Sequence, residues 1–176
     1  MKIENYKLKI CSNKGFTLIE LLLYLTISGM IIMSVAGFLF LILESKEKNR
    51  AILEVEEQGV QVMQIVTQTI RNSEGINSPS QGVSASSVSL DVFNAADDPT
   101  VFDVSGGTFR IKEGASSYVS LTNSRVTVSD LSFHNLSRTG TYGVVKVKFT
   151  ISHVNPEGRN DLDYSKTFYG NASLRQ

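Results

Sequence analysis

Tryptophan is absent from the chain, cysteine occurs once, at Cys11, and histidine only at His134 and His153. A single cysteine excludes an intramolecular disulfide and a cysteine-based zinc site. Neither histidine has a Cys, Asp or Glu at ligand spacing, so both read as surface or strand-edge residues rather than as part of a constellation. No serine sits in a GxSxG context and there is no P-loop. The chain is therefore not expected to be an enzyme. Charge of one sign is also lacking. Lys+Arg and Asp+Glu number 17 each, which gives no support to a nucleic-acid binder with its usual basic excess.

What the chain has in quantity is one apolar run. Phe16–Leu43 carries a single charge, Glu20, in 28 residues. A membrane-spanning helix needs about 20 predominantly apolar residues. The run is too long for a secretory h-region of about 7–15 residues, and no small-x-small cleavage site follows it. A lipoprotein reading fails because Cys11 precedes the run. The segment before it holds Lys2, Lys7, Lys9 and Lys14 against Glu4, a net +3, whereas Glu44–Arg50 sums to +1. The more basic flank stays cytoplasmic. A single pass with the bulk of the chain extracytoplasmic is expected. Keeping about twenty such side chains from water is worth on the order of 30–60 kcal/mol. The segment leaves a bilayer only into a bundle of like helices, with an energy source driving extraction.

An ionised acid inside a spanning helix costs about 2.5–3.5 kcal/mol. Glu20 has two readings. It sits at headgroup level, favoured by its own helix N-terminus, or it compensates a cation, its own or that of an adjacent copy, and sets the register between identical helices. The stretch Lys14-Gly15-Phe16-Thr17-Leu18-Ile19-Glu20 resembles the class III signal of bacterial type IV pilins and pseudopilins. That resemblance implies cleavage between Gly15 and Phe16 by a prepilin peptidase, with Lys14 as the leader's basic residue. It also implies N-methylation of Phe16 and pairing of Glu20 with a neighbouring subunit's N-terminus during assembly. Other pilin or pseudopilin subunits, an inner-membrane platform protein and an assembly ATPase are the implied partners. After cleavage, Phe16 presents an ammonium at a helix start, where the dipole disfavours it, and Glu20 is four residues along. Small residues Ser28, Gly29, Ser34, Ala36 and Gly37 fit either close helix approach or ordinary transmembrane composition.

Beyond Leu43, Ile52, Val55, Gly59, Val62, Val66 and Thr69 recur at helical spacing, widened by Met63 and Ile70. This predicts one helix from Phe16 to about Asn72, its second half amphipathic, with Gly75 as the stop. From Gly75 the composition turns to Ser, Thr, Val and Gly. A loop over Asn77–Ser87 is expected. Strands follow at Val88–Val92, Val101–Val104, Thr108–Ile111, Tyr118–Leu121, Val126–Phe133, Val145–Ile151 and Leu162–Tyr169, with a Ser105-Gly106-Gly107 turn. The expected fold class is α+β, a long N-terminal helix packed on a mostly antiparallel sheet of four to seven strands. The segments are a leader 1–15, a membrane or filament-core half 16–43, an amphipathic half 44–74 and a β-rich domain 75–176.

Asn155, Glu157, Asp161 and Asp163 gather hard oxygen donors that calcium takes, though without the DxDxDG layout, so a solvated turn is preferred and no cofactor is expected. Thr167–Arg175 and Ser124–Phe133 loosely resemble J-type pseudopilins and related minor pilins. The mature chain would lack cysteine and so the disulfide-bounded loop of many major pilins. Glu20 is present, whereas the K-type tip pseudopilin lacks it. The resemblance implies a minor pilin or pseudopilin, in a type IV pilus or a type II secretion-like filament. The alternatives are a major pilin, or a non-polymerising single-pass binding module.

Overall fold

The computed structural model describes residues 15–140, 142–156, 158, 159 and 162–175. Residues 1–14 of the expected leader, Cys11 and Lys14 among them, and the calcium candidates Glu157 and Asp161 lie outside the described residues. The chain divides between Leu43 and Glu44 into two compact units. One helix, α1 (Leu18–Asn72), is followed by strands β1 (Ser73–Ser78), β2 (Ser84–Ala85), β3 (Val88–Val92), β4 (Thr100–Ser105), β5 (Thr108–Glu113), β6 (Val119–Ser120), β7 (Val126–Asn135), β8 (Val144–His153) and β9 (Ser165–Ser173). The fold class is the expected one, α+β with antiparallel pairing throughout. The single sheet of four to seven strands is replaced by two sheets, ordered β1-β3-β4-β5-β6 and β2-β7-β8-β9.

Three local expectations are corrected. Gly75 does not stop the helix. It ends at Asn72, where the Ser73 hydroxyl donates to the Ile70 carbonyl at 2.7 Å and the Arg175 N–H to the Arg71 carbonyl at 3.0 Å. These bonds satisfy carbonyls of the last turn. Gly75 lies in β1, opposite Asp91. The expected loop over Asn77–Ser87 contains the end of β1 and all of β2, because Ser84 and Ala85 pair with His134 and Phe133. The helix stripe is Ala51, Val55, Gly59, Val62, Val66 and Ile70, one position off the predicted line at each end. The strict 3,4 repeat averages 3.5 residues per turn. The observed spacing runs ahead of that, so the stripe winds around the helix, as a twisted sheet beneath it requires.

Within the Glu44–Gln176 unit the core draws on both sheets and the helix. Four rings carry it: Phe102 (β4) meets Phe109 (β5) at 6.2 Å, Phe109 meets Phe149 (β8) at 5.5 Å, and Phe149 stacks on Phe168 (β9) at 5.5 Å. The series ends on Gly59, where a Cβ would fall 2.0 Å from the Phe168 ring. A second seat mirrors it: a Cβ on Gly170 would fall 2.3 Å from the Met63 sulfur. A ring enters the helix, and a helix side chain enters the strand.

The alternation Val145, Val147, Phe149, Ile151 is buried at every step in β8, as a half-buried strand requires. Strand β7 buries Val126 and Val128, then Phe133, a change of parity. A bulge between Ser129 and Ser132, with Asp130 at φ 52°, inserts the extra residue that keeps all three on one face. The β4–β5 turn places Gly106 and Gly107 at φ 59° and 76°, the geometry of a two-residue type I′ hairpin that glycine adopts freely.

Candidate functional site

The chain enters α1 through Gly15, Phe16 and Thr17, which are not helical. Thr17 is the cap. Its carbonyl accepts from the Leu21 N–H at 3.1 Å, and its hydroxyl accepts from the Glu20 N–H at 3.4 Å. A capping oxygen satisfies one of the donors that a helix start leaves orphaned. Thr17-Leu18-Ile19-Glu20 thus has the Thr-x-x-Glu spacing of a capping box. Glu20 occupies the first turn, where the positive end of the helix dipole favours an acid. The Phe16 ring meets Tyr24 edge-on at 6.1 Å and 76°, which brings Phe16 beside the face that carries Glu20 and Tyr24. Glu20 is exposed and has no ion-pair partner among the described residues. Thr17 is the functional residue that the sequence reading passed over, although the Thr-x-x-Glu spacing marks it.

From Leu18 to Leu43 every side chain is exposed. The most apolar window of this helix has a mean hydropathy of 2.3, long and apolar enough to cross a membrane. Nothing lies within 4 Å of a Cβ built on Gly29 or Gly37.

Elsewhere the expected candidates are scattered. His134 Nδ1 lies 2.7 Å from the Ser84 hydroxyl, a link between β7 and β2. His153 stands at the end of β8. Asn155 spends its amide on its own loop, accepting from the Arg159 N–H at 3.0 Å and donating to the Arg159 carbonyl at 2.6 Å. Asp163 is exposed. Among the described residues, no three His, Cys, Asp or Glu side chains form a metal-holding group. Asp97 accepts from the Asn94 side chain at 2.6 Å, and the Asp97 N–H bonds the Asn94 carbonyl, so this pair forms a turn.

Three acids of the second helix half, Glu47, Glu54 and Glu56, reach groups of the β domain. Glu56 pairs with Lys166 at 2.8 Å and accepts from the Tyr164 hydroxyl at 3.3 Å. The Lys166 hydrogen bond holds the Glu56 carboxyl below its ordinary range, and the same bond raises Lys166. Glu54 accepts from the Asn123 amide and lies 3.6 Å from Arg125. Glu47 pairs with Arg159 at 2.8 Å. In the five-stranded sheet, Arg110 makes a two-point contact with Asp103, which raises its pKa, and sits 4.2 Å over the Tyr118 ring.

An apolar helix with a capped, acid-bearing first turn, leading into an antiparallel β domain, defines an α+β, pilin-like architecture. Residues 10–36 match the family model of the prokaryotic N-terminal methylation motif, so the chain carries a type IV pilin-like class III signal. No curated protein and no solved structure matches the chain. The motif is of the kind a prepilin peptidase processes and supports a type IV pilin-like reading of the chain. It implies membrane anchoring and assembly with other pilin subunits, and points to a structural subunit rather than an enzyme.

Proposed function

We propose that this protein is a minor pilin or pseudopilin, a structural subunit of a type IV pilus or a type II secretion-like filament. It inserts once, with Met1–Lys14 cytoplasmic and the Glu44–Gln176 unit extracytoplasmic. A prepilin peptidase cleaves between Gly15 and Phe16 and methylates the new Phe16 amine. Glu20 then pairs with the Phe16 ammonium of a neighbouring copy as the helix enters the filament. A platform protein and an assembly ATPase supply the extraction. No cofactor is proposed for the chain itself; the methyl donor and the ATP belong to the processing and assembly enzymes.

The observation that carries the reading is the first turn. The scissile position, the Thr17 cap and an exposed carboxylate without an ion-pair partner among the described residues occupy six consecutive residues at the head of an apolar helix. An ammonium beside that carboxylate gains a charge-assisted hydrogen bond in a medium where an unpaired charge is costly. The absence of cysteine after Gly15 favours the minor-subunit class over a major pilin with a disulfide-bounded loop.

Intact mass after co-expression with a prepilin peptidase tests processing. A chain beginning at N-methyl-Phe16 is expected, and one retaining Met1 would overturn the processing step and favour a permanently anchored module. Glu20→Ala tests pairing: processing is expected to continue while incorporation into sheared filaments falls at least tenfold. The wild-type protein's abundance in those filaments separates minor from major subunit.

A further inference from the structure

The alternation that buries Val145, Val147, Phe149 and Ile151 turns Lys146 and Lys148 to the opposite face of the four-stranded sheet. There Lys146 lies between His134 and Asn171, and Lys148 between Ser132 and Tyr169. Thr150 and Thr167 join hydroxyls at 2.9 Å in the next row. Apart from Val144, every outward residue in the paired rows of β7, β8 and β9 carries a hydroxyl, amide, imidazole or ammonium. Tyr169 is 64% exposed. Neither lysine has an ion-pair partner among the described residues. Asp130, the only acid in the three strands, sits at the bulge between the Ser129 and Ser132 rows, in register with core-facing Phe149 and not with the lysines. Glu157, Asp161 and Asp163 belong by sequence to the connection beyond His153, at the far end of β8. Lys148 is five residues short of His153, about 17 Å at the strand rise and more than a Debye length of about 8–10 Å. Past Ser173 the chain turns to the helix side, where the Arg175 N–H meets the Arg71 carbonyl.

A face with ammonium groups and no acid selects a polyanion. Its composition narrows the class. Protein interfaces are depleted of lysine and serine and enriched in aromatic residues, methionine and arginine. The paired rows hold one tyrosine, no methionine and no arginine. A nucleic-acid strand needs a series of aromatics on which successive bases stack. Tyr169 is the one well-exposed ring of those rows, and His134 is half-buried and held by the Ser84 hydroxyl at 2.7 Å. A sugar needs less. It sets the C–H face of its ring on one aromatic and its hydroxyls on hydroxyl and amide groups, and the Asn171 amide both donates and accepts. A carboxylate on that ring gains a charge-assisted hydrogen bond from an ammonium, which Lys148 supplies across the strand from Tyr169.

We infer that this face binds an acidic polysaccharide. A uronate ring stacks on Tyr169 with its carboxylate on Lys148, and a further carboxylate along the glycan meets Lys146. The face belongs to the Glu44–Gln176 unit alone, so the inference goes beyond the assembly reading and does not rest on it.

The test measures binding of a fluorescein-labelled oligogalacturonate to the full chain in an uncharged polyoxyethylene detergent, by fluorescence anisotropy. Saturable binding is expected, weakened by salt. Lys146→Gln combined with Lys148→Gln is expected to weaken it by about tenfold or more, and Tyr169→Ser to weaken it as well. Lys46→Gln combined with Lys48→Gln removes the same charge from the helix and is expected to leave binding unchanged. Absence of binding to the oligogalacturonate would overturn the inference. So would an equal loss from the Lys46 and Lys48 substitutions, which would reduce the effect to net charge. A thymidine oligonucleotide or a polyglutamate peptide bound as tightly would overturn it too, assigning the face to nucleic acid or to an acidic protein.

Discussion

One helix in this protein is built for two solvents. Over Leu18–Leu43 it is apolar on every side and buries none of its side chains within the chain, whereas over Glu44–Asn72 it buries one stripe of six residues. The first half has hydrophobicity without periodicity, and the second has periodicity with modest hydrophobicity. The first therefore takes its stabilisation from lipid or from copies of itself, and the second from its own domain.

Matched substitutions in the two halves sharpen that contrast. The largest effect is expected from Phe149→Ala, which removes the middle of the ring series and should cost the Glu44–Gln176 unit about 3–5 kcal/mol. Leu22→Ala should leave that unit's melting temperature unchanged. Thermal melts of the full chain in detergent, followed in the near ultraviolet, separate the two, and equal losses would break the contrast. Two glycines of the same helix make the next pair. Gly59→Ala drives a methyl into the Phe168 ring and should lose about 1–3 kcal/mol, although alanine is the better helix former. Gly37→Ala meets open space and should lose nothing. Thr17→Ala should weaken the helix start by about 1 kcal/mol, read as faster amide exchange at Glu20 and Leu21 with the domain unaffected.

The smallest effect belongs to the partly buried Glu56–Lys166 pair. Glu56 is held below its ordinary value, so its contribution is present above the unfolded carboxylate range and is lost as acid protonates it. Lys166 is raised, so its share is present below the unfolded amine range and is lost as pH rises through its folded range. Stability from the pair is level across neutrality and falls at both extremes. Glu56→Gln should flatten the acidic limb of a melting-temperature profile, and an unaltered limb would show that the pair contributes nothing.

Much of this was legible where pattern is local. The apolar run, the Val145–Ile151 alternation and the Gly106-Gly107 turn each follow from period or φ preference within a few residues. The split into two sheets was not legible, because it depends on pairings between distant segments: β1 joins β3 and β2 joins β7, and no local signal names those partners. The bulge at Asp130 was hidden for a similar reason. Only the burial of Val126, Val128 and Phe133 on one face reveals the added residue. At the candidate site, Glu20 was visible as a charge out of place, but Thr17 is small and unremarkable in composition, and its role emerges only from the hydrogen bond it accepts.

The seat of Phe168 against Gly59 has a mechanical consequence. Under the assembly proposed above, drawing the helix lengthwise would load the Glu44–Gln176 unit as shear along its helix–sheet boundary. A smooth boundary of methyl groups slips under such a load. A ring lodged in a notch, with the Met63 sulfur lodged in a second notch on the strand, turns that sliding into a climb over steric barriers. Under such a load the domain would travel with its helix rather than be stripped from it.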